Sequence, residues 1–142
     1  MKVGTLIIIE CLSNYNVTLI TIYNMKTLVF GASTNPLRYS YLAIERLKFY
    51  SHKITAIGGR EVEVHGVQIL IGHPEIEGIH TITMYMGKAR QVEHEDYLLG
   101  LQPKRIIFNP GAENKSLYNR AKAQGIDVLE ACTLVMLNTG QY

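Results

Sequence analysis

The residues of this sequence best suited to chemistry are backbone amides and guanidinium groups rather than nucleophiles. Gly31-Ala32-Ser33 follows directly on the apolar run Thr27-Leu28-Val29-Phe30 and precedes the polar turn Thr34-Asn35-Pro36. A buried strand, a small-residue turn and a helix, in that order, present N–H groups and a positive helix end to an anion, which suits a phosphate. The glycine fingerprint is incomplete, because Ser33 follows Gly31 where a second glycine would stand and no third glycine appears. The turn alone leaves phosphate binding and an ordinary tight connection both open. Asn35 and Arg38, beside the turn, are further candidate contacts.

The end of the second expected strand is more informative. A dinucleotide fold that binds NAD places Asp or Glu there to accept the ribose hydroxyls. Here the residues are Gly58-Gly59-Arg60, with no carboxylate until Glu61. A carboxylate would repel a phosphorylated ribose, whereas a guanidinium pairs with its phosphate in bidentate fashion. The pattern therefore points to a sugar phosphate, either the 2′-phosphate of NADP or the 3′-phosphate of coenzyme A.

Other reactive side chains have plainer readings. The histidines His52, His65, His73, His80 and His94 form no i, i+4 pair on a helix and are expected to be scattered on the surface, with no metal site. Cys11 and Cys132 match no metal or redox spacing and are expected to be reduced thiols, Cys132 as a small buried residue at a strand end. Ser33 has no G-x-S-x-G elbow around it. Glu93-His94-Glu95-Asp96 reads as a solvated helix face. No catalytic residue emerges.

Strands of the buried, β-branched kind alternate with helices, and this is what must position those residues. Expected strands are Lys53–Ile57, Val67–Ile71, Thr81–Met86, Arg105–Phe108 and Asp127–Glu130, in addition to Thr27–Phe30. A helix begins near Tyr39, with Tyr39, Leu42, Ala43, Leu47 and Tyr50 on its buried face. A second runs from about Lys88 to Leu101, stopped by Pro103. A third starts after the N-cap Asn114 and ends at Gln124 before Gly125. Leu134–Asn138 makes a short terminal helix, and Pro74–Glu77 a turn or short helix. This order implies a Rossmann-like, doubly wound α/β domain with a mainly parallel sheet. Its ligands sit outside the carboxyl ends of the strands, at Gly31–Ser33, Gly58–Arg60, Tyr85-Met86-Gly87, Asn109-Pro110-Gly111 and Ala131-Cys132.

At 142 residues, 47% hydrophobic and 18% charged, the chain has the size of one domain with a proper core. A formal charge of +2 without a Lys/Arg cluster argues against nucleic acid. Residues 1–24 read as an upstream extension, with Met25 as an alternative start. Strands over Val3–Ile9 and Val17–Tyr23, or a targeting segment, are the other readings. A membrane span there would have to bury Glu10, Asn14 and Asn16 in hydrocarbon, and none is expected.

From Lys26 to about Leu137 the sequence resembles the small CoA-binding domain family, whose module also forms the first domain of the succinyl-CoA synthetase alpha subunit. The segments that carry the resemblance are LVFGASTNP, ITAIGGREVEVHGVQI, TITMYMGKARQ, IIFNPGAEN and GIDVLEACTLVML. The resemblance implies that Gly31, Ala32 and Ser33 hold the CoA pyrophosphate. It sets Gly58, Gly59 and Arg60 against the family's Asn-Pro-Lys, with Arg60 toward the 3′-phosphate. It also implies that Tyr85 and Met86 wall the adenine and pantetheine groove, and that Asn109, Pro110, Gly111 and Asn114 form the Pro-Gly turn. Gly58-Gly59 departs from the family pattern, as does the missing proline after Cys132. The synthetase's phosphoryl-carrying histidine belongs to a second domain with no counterpart here. The expectation is a stand-alone cytoplasmic protein that binds CoA or acyl-CoA without catalysis, alone, as a homo-oligomer or within a larger complex. An NADP-binding reductase-like module, or an interaction subunit with a decayed nucleotide site, are the alternatives.

Overall fold

The computed structural model describes residues 25–142. The strands expected over Val3–Ile9 and Val17–Tyr23, and Cys11, lie outside the described residues. The elements follow in the order β1 (Lys26–Ala32), α1 (Tyr39–Phe49), β2 (Lys53–Gly58), β3 (Glu63–Val64), β4 (Val67–Leu70), β5 (Thr81–Met84), α2 (Lys88–Gln91), α3 (Glu95–Gly100), β6 (Arg105–Phe108), α4 (Lys115–Ala123), β7 (Asp127–Glu130) and α5 (Thr133–Asn138). They form one seven-stranded sheet in the order β3-β4-β2-β1-β5-β6-β7. Every pairing is parallel except that of β3 with β4, which forms a short antiparallel edge. The chain winds outward from β1 in one direction and then crosses to β5, so the strand order reverses between β1 and β5. That reversal opens a crevice at their carboxyl ends.

The sheet is covered on both faces, as its short, unbroken apolar strands require. Leu28 and Phe30 of β1 point to one face, where Ile82, Met84, Ile106 and Phe108 meet Leu98 and Leu99 of α3 and Leu117 and Ala121 of α4. Val29 points to the other, packing with Ala56 and Ile69 against Ile44 and Leu47 of α1 and Leu137 of α5. The single period-two alternation of β1 thus divides the core into two layers.

Four local expectations need correction. Helix α1 buries Ser40, Ala43, Ile44 and Leu47, while Tyr39 is 68% exposed and Tyr50 is also exposed. The buried arc is rotated by about one residue from the aromatic face, because the sheet admits small residues against it and turns the tyrosines outward. The helix expected over Lys88–Leu101 breaks into α2, a 3-10 turn at Val92–His94, and α3. Pro74–Glu77 is neither turn nor helix but irregular chain. Glu63–Val64, within a stretch read as polar loop, pairs with Val67 and Gln68 as a hairpin edge.

Candidate functional site

The crevice is built by glycines at two crossing points of the backbone. Gly31 sits at φ +93° in a bulge where the β1 register shifts between Phe30 and Ala32. A Cβ there would lie 2.8 Å from the Met86 amide nitrogen and 2.9 Å from the Tyr85 carbonyl carbon. At Gly58 a Cβ would lie 2.3 Å from the Ala32 carbonyl oxygen. Both glycines make room for neighbouring backbone, which brings the tips of β1, β2 and β5 together. Gly59 faces open space.

Above these tips run two adjoining depressions. The first, of about 360 Å³, is lined by Ala32, Ser33, Thr34, Asn35, Gly59, Arg60 and Ile69. Arg60 thus shares this depression with Ala32 and Ser33 of the turn after β1. The second, of about 520 Å³, continues from Ala32, Ser33 and Gly59 across Gly31, Gly58, Tyr85 and Met86 to Pro110 and Gly111. Arg38, Tyr39 and Ser40 line it from the start of α1, and Arg90 and His94 from the opposite bank. Among the described residues no Asp or Glu lines either depression. Among the described residues, Arg38, Arg60 and Arg90 make no ion pair.

The loop is held by its own side chains. The Asn35 N–H donates to Ser33 Oγ at 3.1 Å, and the Leu37 N–H to Asn35 Oδ1 at 2.9 Å. These turns fix the loop and engage both side chains locally. Among the described residues, the Ser33 and Thr34 N–H groups have no hydrogen-bond partner. Helix α1 has no acidic residue in its first turn and its N-cap, Arg38, makes no side-chain cap. Unpaired amides, a positive helix end and free guanidinium groups surround one groove.

Two expected contact residues have a different place. Asn114 is buried and caps α4, accepting from the Ser116 and Leu117 N–H groups. Its Nδ2 donates to Gln91 Oε1 at 3.0 Å and Glu95 Oε1 at 2.9 Å. Asn109 is buried too: Nδ2 donates to Thr83 Oγ1 at 2.8 Å and the Met84 carbonyl at 2.9 Å, and Oδ1 accepts from the Thr133 N–H at 2.9 Å. Both amides spend their N–H donors within the protein, Asn114 all four of its hydrogen bonds and Asn109 three, and so tie the elements around the groove together. The Gly111 N–H, in the Pro-Gly turn, donates to Glu113 Oε2 at 2.9 Å. Gly111 itself, at φ +88°, still lines the groove.

Several residues escaped the sequence reading. Gln91, fully buried, donates to the Met86 carbonyl at 2.6 Å and to the Ala112 carbonyl at 2.7 Å. It staples the β5 tip to the turn after β6. Arg90 and Tyr39 line the groove from helix starts that carried no motif. Glu95 is not solvated: at 6% exposure it accepts from Asn114 and, at 2.9 Å, from Arg120. Nor are the histidines all scattered. His94 packs edge-on against Phe30, and its Nδ1 lies 2.7 Å from His73 Nε2, while His73 stacks on Tyr97. Burial lowers the His94 pKa from the ordinary value, Glu93 opposes this and His73 adds to it. Among the described residues the Tyr85 hydroxyl has no hydrogen-bond partner, and burial holds its pKa well above the ordinary phenol range. Cys132 is only partly buried. No cluster of three or more His, Cys, Asp or Glu suited to a metal occurs among the described residues.

A family model described as a CoA binding domain matches residues 25–138. The chain belongs to this CoA-binding domain family. Among solved structures it is similar to an uncharacterized protein at 43% identity, covering 83% of this chain and 98% of that one, with a TM-score of 0.80. It is similar in fold to a Thermus thermophilus protein at 16% identity, covering 83% of this chain and 90% of that one, with a TM-score of 0.73. A hypothetical protein from Pyrococcus horikoshii is 18% identical, with 83% and 84% of the two chains covered and a TM-score of 0.71. A comparison with curated proteins finds no match. Among the described residues no helix is long and apolar enough to cross a membrane.

Proposed function

We propose that this CoA-binding domain acts by binding coenzyme A or an acyl-CoA, with no chemistry of its own on the ligand. The observation that carries the reading is the groove lined by Arg38, Arg60 and Arg90, with no carboxylate on its walls among the described residues. Three unpaired guanidinium groups at one groove repel each other and are stabilised by a polyanion. CoA carries charge at the pyrophosphate and at the 3′-phosphate, and two positively lined depressions meet that division. The pyrophosphate lies on the Ser33 and Thr34 amides and the start of α1, beside Arg38 and Arg90. The 3′-phosphate lies toward Arg60, in the smaller depression. Tyr85 and Met86 give apolar contact to the pantetheine arm.

Titration calorimetry with CoA, 3′-dephospho-CoA and NADPH tests this. CoA is expected to bind most tightly. Arg60→Glu should weaken CoA by tenfold to a hundredfold or more, as about 1.5–3 kcal/mol for a lost charge-assisted contact implies. The same change should matter little for dephospho-CoA. Equal affinity of the native protein for CoA and dephospho-CoA would remove Arg60 from this role, and tighter binding of NADPH would replace the ligand.

A further inference from the structure

The groove does not end at Pro110. A third pocket, of about 380 Å³, adjoins it on the β6–β7 side, and Tyr39, Tyr85 and Pro110 line both. Its remaining walls are Asn109, Cys132, Leu134 and Val135. The three cavities therefore follow the strand order, from Arg60 beside β2, over the β1–β5 reversal, to the start of α5.

The chemistry changes along that line. Among the described residues no charged side chain lines the third pocket. Its one side-chain amide, on Asn109, already spends both Nδ2 hydrogens on Thr83 and Met84, and its Oδ1 accepts from the Thr133 N–H, so it has no donor left to offer. The Tyr85 hydroxyl is buried, so that residue presents its ring. Tyr39 and Val135 stand at the rim, 68% and 55% exposed. An apolar group entering here gains burial, and a charged one loses its water without a partner.

We infer that this pocket seats the acyl group of an acyl-CoA and selects a short apolar acyl chain over a carboxylated one. The inference rests on the CoA reading above, which fixes the direction of the ligand. With the sugar phosphate at Arg60, the opposite end of the coenzyme is the one that reaches Leu134 and Val135. That end carries the thiol or its acyl thioester. Pocket and anion groove are then two parts of one site.

The experiment is calorimetry of the full chain with CoA, butyryl-CoA and succinyl-CoA, repeated on Val135→Trp. Val135 is exposed on α5, so the larger ring can fill the pocket mouth without entering the core. Burial of an alkyl chain is worth about fourfold in affinity per methylene. The native protein should bind butyryl-CoA about tenfold or more tighter than CoA, and succinyl-CoA no tighter than CoA. Val135→Trp should reduce butyryl-CoA to the level of CoA while leaving CoA itself within about twofold. Equal affinity for CoA and butyryl-CoA, with CoA still bound, overturns the acyl pocket and leaves the CoA reading standing. A butyryl preference that survives Val135→Trp places the acyl group elsewhere and overturns it as well. Failure to bind CoA at all overturns both readings. The comparison of ligands on the native protein decides the matter even if the variant fails to fold.

Discussion

Replacing Gly31 by alanine tests the architecture of the site at a single atom. Gly31 holds φ +93°, where a side chain costs about 1–2 kcal/mol. The added methyl would also meet the Met86 nitrogen at 2.8 Å and the Tyr85 carbonyl carbon at 2.9 Å. Both are backbone, so neither can rotate away, and the tips of β1 and β5 must part. Overpacking of this kind typically costs about 1–3 kcal/mol more. The bond from the Tyr85 N–H to the Phe30 carbonyl, 2.8 Å long, lies directly in the path of that separation. Gly31→Ala should therefore lose about 2–5 kcal/mol, a large part of the stability of an ordinary domain. Because Tyr85 and Met86 wall the groove, CoA affinity should fall as well. Gly59→Ala is the control, since a Cβ at Gly59 meets nothing within 4 Å. Urea unfolding followed by circular dichroism measures both variants. A Gly31→Ala midpoint within experimental scatter of the native protein, and of Gly59→Ala, would refute the argument that Gly31 serves the β1–β5 contact.

Gln91→Leu removes the donor that joins the Met86 and Ala112 carbonyls and the acceptor that Asn114 uses. With buried polar groups left unpaired, stability should fall by about 2–4 kcal/mol in a denaturant titration. An unchanged midpoint would show that the staple is dispensable. Burial lowers the pKa of His52, His80 and His94, with Arg105 adding to the effect at the first two and Lys104 at His80, so the folded state favours the neutral rings. Between the lowered values and about 6.5 the unfolded chain binds more protons, so this stabilisation is present above about pH 6.5 and is lost on acidification. The melting temperature of the free protein should fall from pH 7 to pH 5. CoA binding should change in the opposite sense, because a polyanion beside Arg38 and Arg90 favours the protonated form of His94, which also faces His73 and Glu93. Calorimetry at pH 8 and pH 6 should show tighter binding at the lower pH, an effect that His94→Asn abolishes. A pH-independent affinity in the native protein would separate His94 from the ligand.

What the sequence determined by itself was whatever depends on neighbours along the chain. The β-branched runs, the Gly31 turn, the Asn114 cap and the Gly125 stop each follow from local backbone preference, and their alternation dictates a parallel sheet with its cleft at the strand ends. Arg60 stood out in the sequence because topology assigns a meaning to the residues that follow a second strand. Tertiary structure decided the rest. The helical period of α1 shows that one arc is buried, but the sheet chose the arc with Ser40 and left Tyr39 in the groove. Spacing could not bring His73 to His94, or Glu95 to Asn114, because those pairs are joined across separate elements. The same holds for Arg90, which faces Arg38 only because the β1–β5 reversal sets α1 and α2 on opposite banks. Gly31 and Gly58 look like ligand glycines in sequence. The packed strands show that they make room for backbone, since contact distances depend on all three dimensions and sequence order records one.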